Sequence, residues 1–123
     1  MYEQDYIMRK IKRLIGFLGK ACLNKDFVIY ELPKEEKHTE TDDLHKNLLV
    51  LINQGKINEA ENLLFEDLNN KDKRYMELAL DFYERLNNSD NEFLEKNNFS
   101  RGEIEEGLKE VAKEFGISIS IYE

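Results

Sequence analysis

Apolar residues recur along most of the chain at spacings of three and four, the pattern of amphipathic helices. Two such stripes lie close together in the middle of the sequence. The first contains Leu44, Leu48, Leu51 and Ile52, and the second contains Ala60, Leu63, Leu64 and Leu68. Gly55 separates them, at a position where helices commonly end on a left-handed residue. The pattern therefore predicts a hairpin of two helices over residues 41–70.

Polar residues mark where the predicted helices begin. Thr41 is a suitable N-cap for the first helix of the hairpin. Three further sites have the spacing of a capping box, in which the N-cap side chain and an acidic side chain three residues later satisfy each other's backbone N–H groups. These sites are Asn58 with Glu61, Ser89 with Glu92, and Ser100 with Glu103. The stripes and caps together predict helices over residues 3–24, 42–54, 59–69, 72–88, 90–97 and 101–115.

The first predicted helix has an apolar arc and, opposite it, basic side chains that include Arg9, Lys12 and Arg13. Two interpretations stay open for the apolar arc. It either completes the core of its own chain, or it stays uncovered and packs against a second copy in a two-fold dimer. The second interpretation defines a candidate interaction surface of Ile7, Arg9, Ile11, Arg13, Leu14 and Leu18.

The helix predicted over residues 72–88 has the broadest apolar face in the chain, which is typical of a central helix packed on two sides. We therefore predict that it contributes heavily to the core. The residues expected to be almost fully buried are Leu48, Leu64, Leu78, Phe82, Leu108 and Val111.

Two short segments have the composition or the alternation of strands. Residues 27–32 are rich in β-branched and aromatic side chains, and residues 117–122 alternate between apolar and polar positions. The two segments either pair with each other, or residues 117–122 pair with another chain. The predicted fold class is all-α, a compact domain of antiparallel helix hairpins over residues 1–123, with this two-stranded pairing as a minor addition.

Two stretches resemble known families. Gly-Lys-Ile-Asn-Glu-Ala at residues 55–60 resembles the turn of a tetratricopeptide repeat, with glycine at the turn and a small residue where the helices approach. Gln-Asp-Tyr-Ile-Met-Arg at residues 4–9 is similar to the opening of an uncharacterised bacterial family of unknown function, whose members continue as helical, tetratricopeptide-like domains. The resemblance implies a helical fold, and it implies no activity, cofactor or catalytic residue.

The charge of the chain is strongly divided. The net charge is −8, yet residues 1–25 carry six basic and two acidic side chains, so the remainder carries −12. An acidic surface of this kind argues against a nucleic-acid-binding domain, which needs basic groups to neutralise phosphates. The basic amphipathic helix over residues 3–24 leaves a second function open, that of a peripheral membrane adaptor on anionic lipid.

The sequence contains no arrangement that selects a catalytic or metal site. Residues 35–45 hold several carboxylates with His38 and His45, but without the spacing that fixes a zinc geometry, so we interpret them as solvated charges and a helix cap. Cys22 is the sole cysteine, and we expect an inert core thiol. Whether residues 35–45 ever bind a metal stays open.

The start of the chain does not resemble a signal peptide, and no stretch of the sequence approaches the roughly 20 apolar residues that a membrane span requires. We therefore predict a small cytoplasmic, non-enzymatic module without a cofactor. Its partner would be a protein, a peptide or a second copy of the chain.

Overall fold

The computed structural model describes residues 2–23 and 40–119, and these residues are almost entirely helical. They form α1 (Tyr2–Leu18), α2 (Glu40–Asn53), α3 (Ile57–Asp67), α4 (Lys73–Asn87), α5 (Asn91–Lys96) and α6 (Arg101–Glu114). A five-residue π-helical turn, Gly19–Leu23, continues α1. The all-α prediction is confirmed, and every predicted helix is present with its ends within two residues of the prediction, when the π turn is counted with α1.

Three helices end on a residue in the left-handed conformation. Gly55 has φ +78°, Gly116 has φ +70°, and Asn98 has φ +57°. After α2, the N–H of Gly55 donates to the carbonyl of Ile52, and the N–H of Lys56 donates to that of Leu51. This pair of bonds is a Schellman motif, which satisfies carbonyls that the helix end would otherwise leave unpaired. The motif turns the chain back from α2 into α3.

The predicted hairpin is therefore present, with α2 packed along α3. Ala60 is fully buried, as expected of a small residue where two helices approach. The wider tetratricopeptide-like arrangement stays a prediction.

Helix α4 lies at the centre of the described structure, in contact with α1, α2, α6 and the π turn. Helix α1 also packs against α6. One cluster of buried apolar side chains joins these helices. The six residues predicted for the core are each at most 2 % exposed, which confirms that prediction: Leu48, Leu64, Leu78, Phe82, Leu108 and Val111.

One of the three predicted capping boxes forms. At the start of α6, the Ser100 hydroxyl accepts from the N–H of Glu103, and the Glu103 carboxylate accepts from the N–H of Ser100 at 2.7 Å. Thr41, the cap predicted for α2, instead lies inside that helix and is buried.

The other two boxes were predicted wrongly, because their acceptors have different partners. Helix α3 begins at Ile57, so Asn58 is already helical, and Glu61 accepts from the Tyr83 hydroxyl instead. Helix α5 begins after Asp90 without a side-chain cap, and the Ser89 hydroxyl donates to the carbonyl of Arg85.

The predicted strand pairing falls mostly outside the described residues. Residues 27–32 and 120–122 are not among them, and residues 117–119 have no regular secondary structure. Ile117 and Ile119 pack against the core. Within the two described ranges, no helix has both the length and the apolar character needed to cross a bilayer.

Candidate functional site

The apolar half of the predicted interaction surface is buried inside the chain. Ile11 and Leu18 are 0 % exposed and Leu14 is 2 % exposed, because α1 lays this stripe against α4 and α6. Ile7 is partly buried and packs against the same cluster. The interpretation of an apolar arc left for a second copy is therefore corrected for these residues, which belong to the core.

The opposite side of α1 faces solvent. Tyr6 is 60 % exposed. Among the described residues, only Tyr6 and Val50 are large apolar side chains with a high exposed fraction. Arg9, Lys12 and Arg13 are exposed around Tyr6. At 100° per residue, these positions share one side of the helix. We call Tyr6, Arg9, Lys12 and Arg13 the basic face of α1.

One neighbouring basic residue, Lys10, forms an ion pair within the chain. The ammonium of Lys10 lies 2.8 Å from a carboxylate oxygen of Glu105, so this pair links α1 to α6. Among the described residues, Arg9 by contrast donates only a long bond of 3.3 Å, to the carbonyl of Asp5 in its own helix. Arg9 therefore stays on the solvent side, where a partner can reach it.

The rest of the described chain is acidic. Residues 40–119 contain ten basic and nineteen acidic side chains, a net charge of −9. A cleft of about 330 Å³ lies between α2, the end of α3 and the start of α4, with Glu40, Asp43, Asp67 and Tyr75 in its wall. Burial raises the pKa of Tyr75, and the surrounding carboxylates, Glu40 foremost, raise it further. This cleft is the acidic counterpart of the basic face of α1.

Charged residues also fill the contact between α2 and α4. Asp42 is 2 % exposed, and its carboxylate accepts from Nη2 of Arg74 at 2.9 Å. Glu77, also buried, lies one turn along α4 with its carboxylate 3.9 Å from Nη1 of the same arginine. Arg74 therefore bridges two buried carboxylates on different helices.

The second group in this contact is centred on Asp81. Its Oδ2 lies 2.9 Å from Nε2 of His45 and 2.7 Å from Nε of Arg85. Both contacts are made to the same carboxylate oxygen, so Asp81 joins His45 of α2 to Arg85 of its own helix. The interpretation of residues 35–45 as solvated charges is thus wrong for Asp42 and His45, which are buried.

A histidine paired with an aspartate is part of many catalytic sites, but this pair spans two packed helices and is buried. The described residues contain no group of three histidine, cysteine or carboxylate side chains placed to hold a metal ion. Residues 35–39 lie outside the described range. Burial raises the pKa of the Cys22 thiol, which disfavours the reactive thiolate.

A further buried bond links α3 and α4. The hydroxyl of Tyr83, which is fully buried, donates to Oε2 of Glu61 at 2.7 Å. Gly107 in α6 makes room for this ring, because a Cβ atom built on it would meet the tyrosine hydroxyl at 2.2 Å. The tyrosine therefore requires a glycine at this point of α6.

Arg101 is a buried residue that the sequence analysis missed. Its Nη1 donates to the side-chain oxygens of Gln4, at 3.2 Å, and of Asn91. Its Nη2 donates to the carbonyls of Asn87, at 3.1 Å, and Ser89, at 2.6 Å. One side chain thus ties α1, the end of α4 and α5 to α6. A signal was present, since a cation in the first turn of a helix opposes the helix dipole and needs another reason to be there.

Comparison with known proteins identifies a family and no activity. Neither the curated proteins nor the solved structures yield a match to this chain. Residues 1–116 match a family of unknown function, DUF6483. The match spans nearly the whole chain, from the basic face of α1 to the end of α6, and the protein therefore belongs to this family of unknown function, DUF6483.

Proposed function

We propose that this protein is a protein–protein interaction module that binds an acidic protein surface through the basic face of α1. The proposal assigns binding and no reaction, and it keeps the cytoplasmic location predicted from the sequence. The observation that carries it is Tyr6, a large aromatic side chain that is 60 % exposed beside exposed arginines.

The composition of this face supports a binding role. Tyrosine and arginine are the residues that most often dominate the binding energy of protein interfaces. Both combine a large contact area with polar groups that can pair with a partner. Because the side of α1 opposite them is held in the core, the face is presented on a helix that is already in place before binding.

Charge indicates what kind of partner fits. Three cations on one helix side attract carboxylates, and complementary charge speeds association and orients the complex. A second copy of the chain is the first partner to test, since residues 40–119 carry −9 and include the cleft lined by Glu40, Asp43 and Asp67. The second partner to test is an acidic peptide.

The membrane hypothesis loses its strongest support. An amphipathic helix binds a bilayer by placing its apolar side among the lipid chains. In α1 that side contains Ile11, Leu14 and Leu18, which are buried in the core. The exposed side offers charges and one tyrosine.

Charge reversal on the basic face tests the proposal. We would measure the mass of the full chain by sedimentation equilibrium over a range of concentrations, and binding of a fluorescent poly-glutamate peptide by anisotropy. The double variant Arg9→Glu/Arg13→Glu should abolish whichever association the native chain shows. Tyr6→Ala should weaken it by more than about 1 kcal/mol, as expected for an interface aromatic.

The matched control is Lys46→Glu/Lys71→Glu, which changes the net charge by the same amount at exposed positions outside α1. It should leave the association intact. Equal loss in both double variants would show a response to net charge alone and refute the proposal. A chain that binds neither itself nor the peptide, but sediments with phosphatidylserine vesicles in a manner that depends on Arg9 and Arg13, would establish the membrane function instead.

A further inference from the structure

The acidic cleft between α2, α3 and α4 has a buried tyrosine in its wall. Tyr75 lies in the first turn of α4 and is 7 % exposed, so protein covers almost all of its ring. Within residues 2–23 and 40–119, its hydroxyl has no hydrogen-bond partner. The hydroxyl oxygen is not one of the fully enclosed atoms of the described chain that lack a partner, so its small exposed area reaches the cleft.

The charges around Tyr75 indicate the same orientation. Burial is the main reason why its pKa is raised, and the carboxylates of Glu40, Asp72 and Asp67 raise it further, because a nearby negative charge opposes the ionisation of a phenol. Glu40 and Asp67 both line the cleft. The hydroxyl is therefore the part of Tyr75 that meets the cleft and its carboxylates.

The cleft holds three carboxylates that no described cation pairs with, those of Glu40, Asp43 and Asp67. The helix dipole favours Glu40 and Asp43, which lie in the first turn of α2. It opposes Asp67, the last residue of α3, because the C-terminus of a helix is itself negative. Helix stability therefore does not account for Asp67, and the cleft gathers negative charge where a cation is attracted.

The geometry of these groups suits an organic cation. A metal ion needs oxygens that converge on it within about 2.0–2.6 Å, and the described part of the chain has no group of three carboxylate, histidine or cysteine side chains so placed. A guanidinium instead has five N–H donors that point in several directions. Arg74 shows this within the chain, since its guanidinium lies between the carboxylates of Asp42 and Glu77.

We propose that this cleft binds the guanidinium group of an arginine side chain supplied by a partner protein. Its N–H groups would donate to the carboxylates of Asp43 and Asp67 and to the hydroxyl oxygen of Tyr75, while Leu44, also in the wall, would contact the carbon chain. The volume of about 330 Å³ is at the lower end of the roughly 300–1,000 Å³ of ligand pockets, so it suits one side chain. The proposal does not rest on the function proposed for α1, because any exposed arginine of a partner can enter the cleft.

Nuclear magnetic resonance of the ¹⁵N-labelled full chain tests the proposal, with N-acetylargininamide as the probe. The backbone N–H signals of Asp43, Asn47 and Asp67 should shift saturably, with a roughly millimolar dissociation constant for a single side chain. N-acetylcitrullinamide has nearly the same shape without the charge and should not bind. Equal binding of the two probes, or an equal response to sodium chloride at the same ionic strength, would overturn the proposal.

A third probe tests whether the cleft recognises a guanidinium or any cation. N-acetyllysinamide carries the same charge on a compact ammonium group, which cannot pair with separated carboxylates through a planar fork of donors. It should bind several-fold more weakly than the arginine probe. A lysine probe that binds as tightly as the arginine probe would refute the assignment to arginine.

Charge removal at the cleft should weaken binding of the arginine probe. Asp43→Asn/Asp67→Asn should raise its dissociation constant about three- to tenfold, since two ion pairs are lost. Glu59→Gln/Glu92→Gln makes the same change of charge at exposed positions outside the cleft and should leave the constant unchanged. An equal loss in both double variants would mean that the probe responds to net charge alone, which contradicts a site in the cleft.

Sedimentation equilibrium identifies the protein that supplies the arginine. If the native chain self-associates and Asp43→Asn/Asp67→Asn abolishes that association as Arg9→Glu/Arg13→Glu does, the arginine is that of a second copy. If the chain stays monomeric while the arginine probe binds, the arginine belongs to a different protein. In that case the function proposed for α1 can fail while the site in the cleft stands.

Removal of the Tyr75 hydroxyl is the most specific test. Tyr75→Phe keeps the buried ring and should weaken binding of the arginine probe about two- to fivefold through the loss of one hydrogen bond. Tyr6→Phe, the same change on the exposed basic face of α1, is the control and should have no effect. If the two variants bind the probe equally well, the hydroxyl has no part in recognition and the proposal is overturned.

Discussion

Helix α4 is covered on two sides by opposite chemistry. The side toward α1 and α6 contributes the ring of Tyr83, which lies against Gly107 of α6, to the common core. The side toward α2 contributes Glu77 and Asp81, which are 7 % and 5 % exposed. Eleven of the fifteen residues of α4 are buried, so neither side is the solvent face of an ordinary amphipathic helix.

The difference shows two ways in which a helix can be covered. Apolar burial stabilises the fold roughly in proportion to the area removed from water. A buried charge pair adds little net stability, because the loss of hydration offsets the attraction. What the pair does impose is register, since Asp81 must stand opposite His45 and Arg74 opposite Asp42. We infer that the apolar side supplies most of the stability and the charged side aligns α2.

The largest effect should come from the apolar residues of α4. Leu78→Ala removes a fully buried side chain and should lower the free energy of unfolding by about 2–5 kcal/mol. Urea denaturation followed by circular dichroism measures it. Val50→Ala, at a position 45 % exposed on α2, is the control and should stay within about 0.5 kcal/mol of the native chain. A cost below about 1 kcal/mol for Leu78→Ala would show that the apolar residues of α4 do not supply most of the stability.

The charged side should give a smaller but coupled effect. His45→Ala and Asp81→Ala should each cost about 1–3 kcal/mol, because each leaves a buried partner without its bond. In the double variant the costs should fall short of their sum by about 0.5–3 kcal/mol. Combining Asp81→Ala with Glu110→Ala, an exposed change on α6, should be additive. Additivity in the first pair as well would mean that the two side chains stabilise α2 separately.

Gly107 marks a point where the apolar contact of α4 with α6 leaves no space. Gly107→Ala should cost about 1–3 kcal/mol, since the new methyl would meet the ring of Tyr83, which is packed on all sides. Gly102→Ala is the matched change in the same helix, where the nearest atom is 3.7 Å away. It should stabilise the protein by up to about 1 kcal/mol through helix propensity. Thermal unfolding of the two variants should therefore move in opposite directions.

The smallest effect concerns pH and the bond between Tyr83 and Glu61. Burial raises the pKa of Glu61 above 4.5, the Tyr83 hydroxyl lowers it in part, and Glu103 raises it again. Because the folded-state pKa is the higher one, this group's contribution to stability is complete below the unfolded pKa and is lost as pH rises through the folded pKa. Glu61→Gln keeps an acceptor for the hydroxyl and removes the titration.

Stability of the variant relative to the native chain should therefore increase as pH rises from about 4 to 7. Glu59→Gln, exposed on the same helix, is the control and should show no such trend. A difference that stays constant over this range would mean that Glu61 does not titrate differently in the folded chain.

The sequence alone determined where the helices lie. Apolar spacing identified all six, and Gly55 marked a helix end that the structure places at φ +78°. These signals are local, because the helical period and the left-handed cap depend on residues within a few positions of each other. The same holds for the core of α4 and α6, where a broad apolar stripe leaves few alternatives to burial.

Only the tertiary structure decided which polar groups are buried and with whom they pair. The spacing Asn58–Glu61 is as good a capping box as Ser100–Glu103, yet Glu61 bonds instead to Tyr83, twenty-two residues away. Asp81 and Arg101 likewise have partners on other helices. The apolar stripe of α1 is compatible with either a dimer interface or a core position, and only the packing of α1 against α4 and α6 decides between them. A charged or capping side chain forms its hydrogen bond with whichever group the fold brings within about 3 Å. Which group that is depends on packing between segments far apart in the chain.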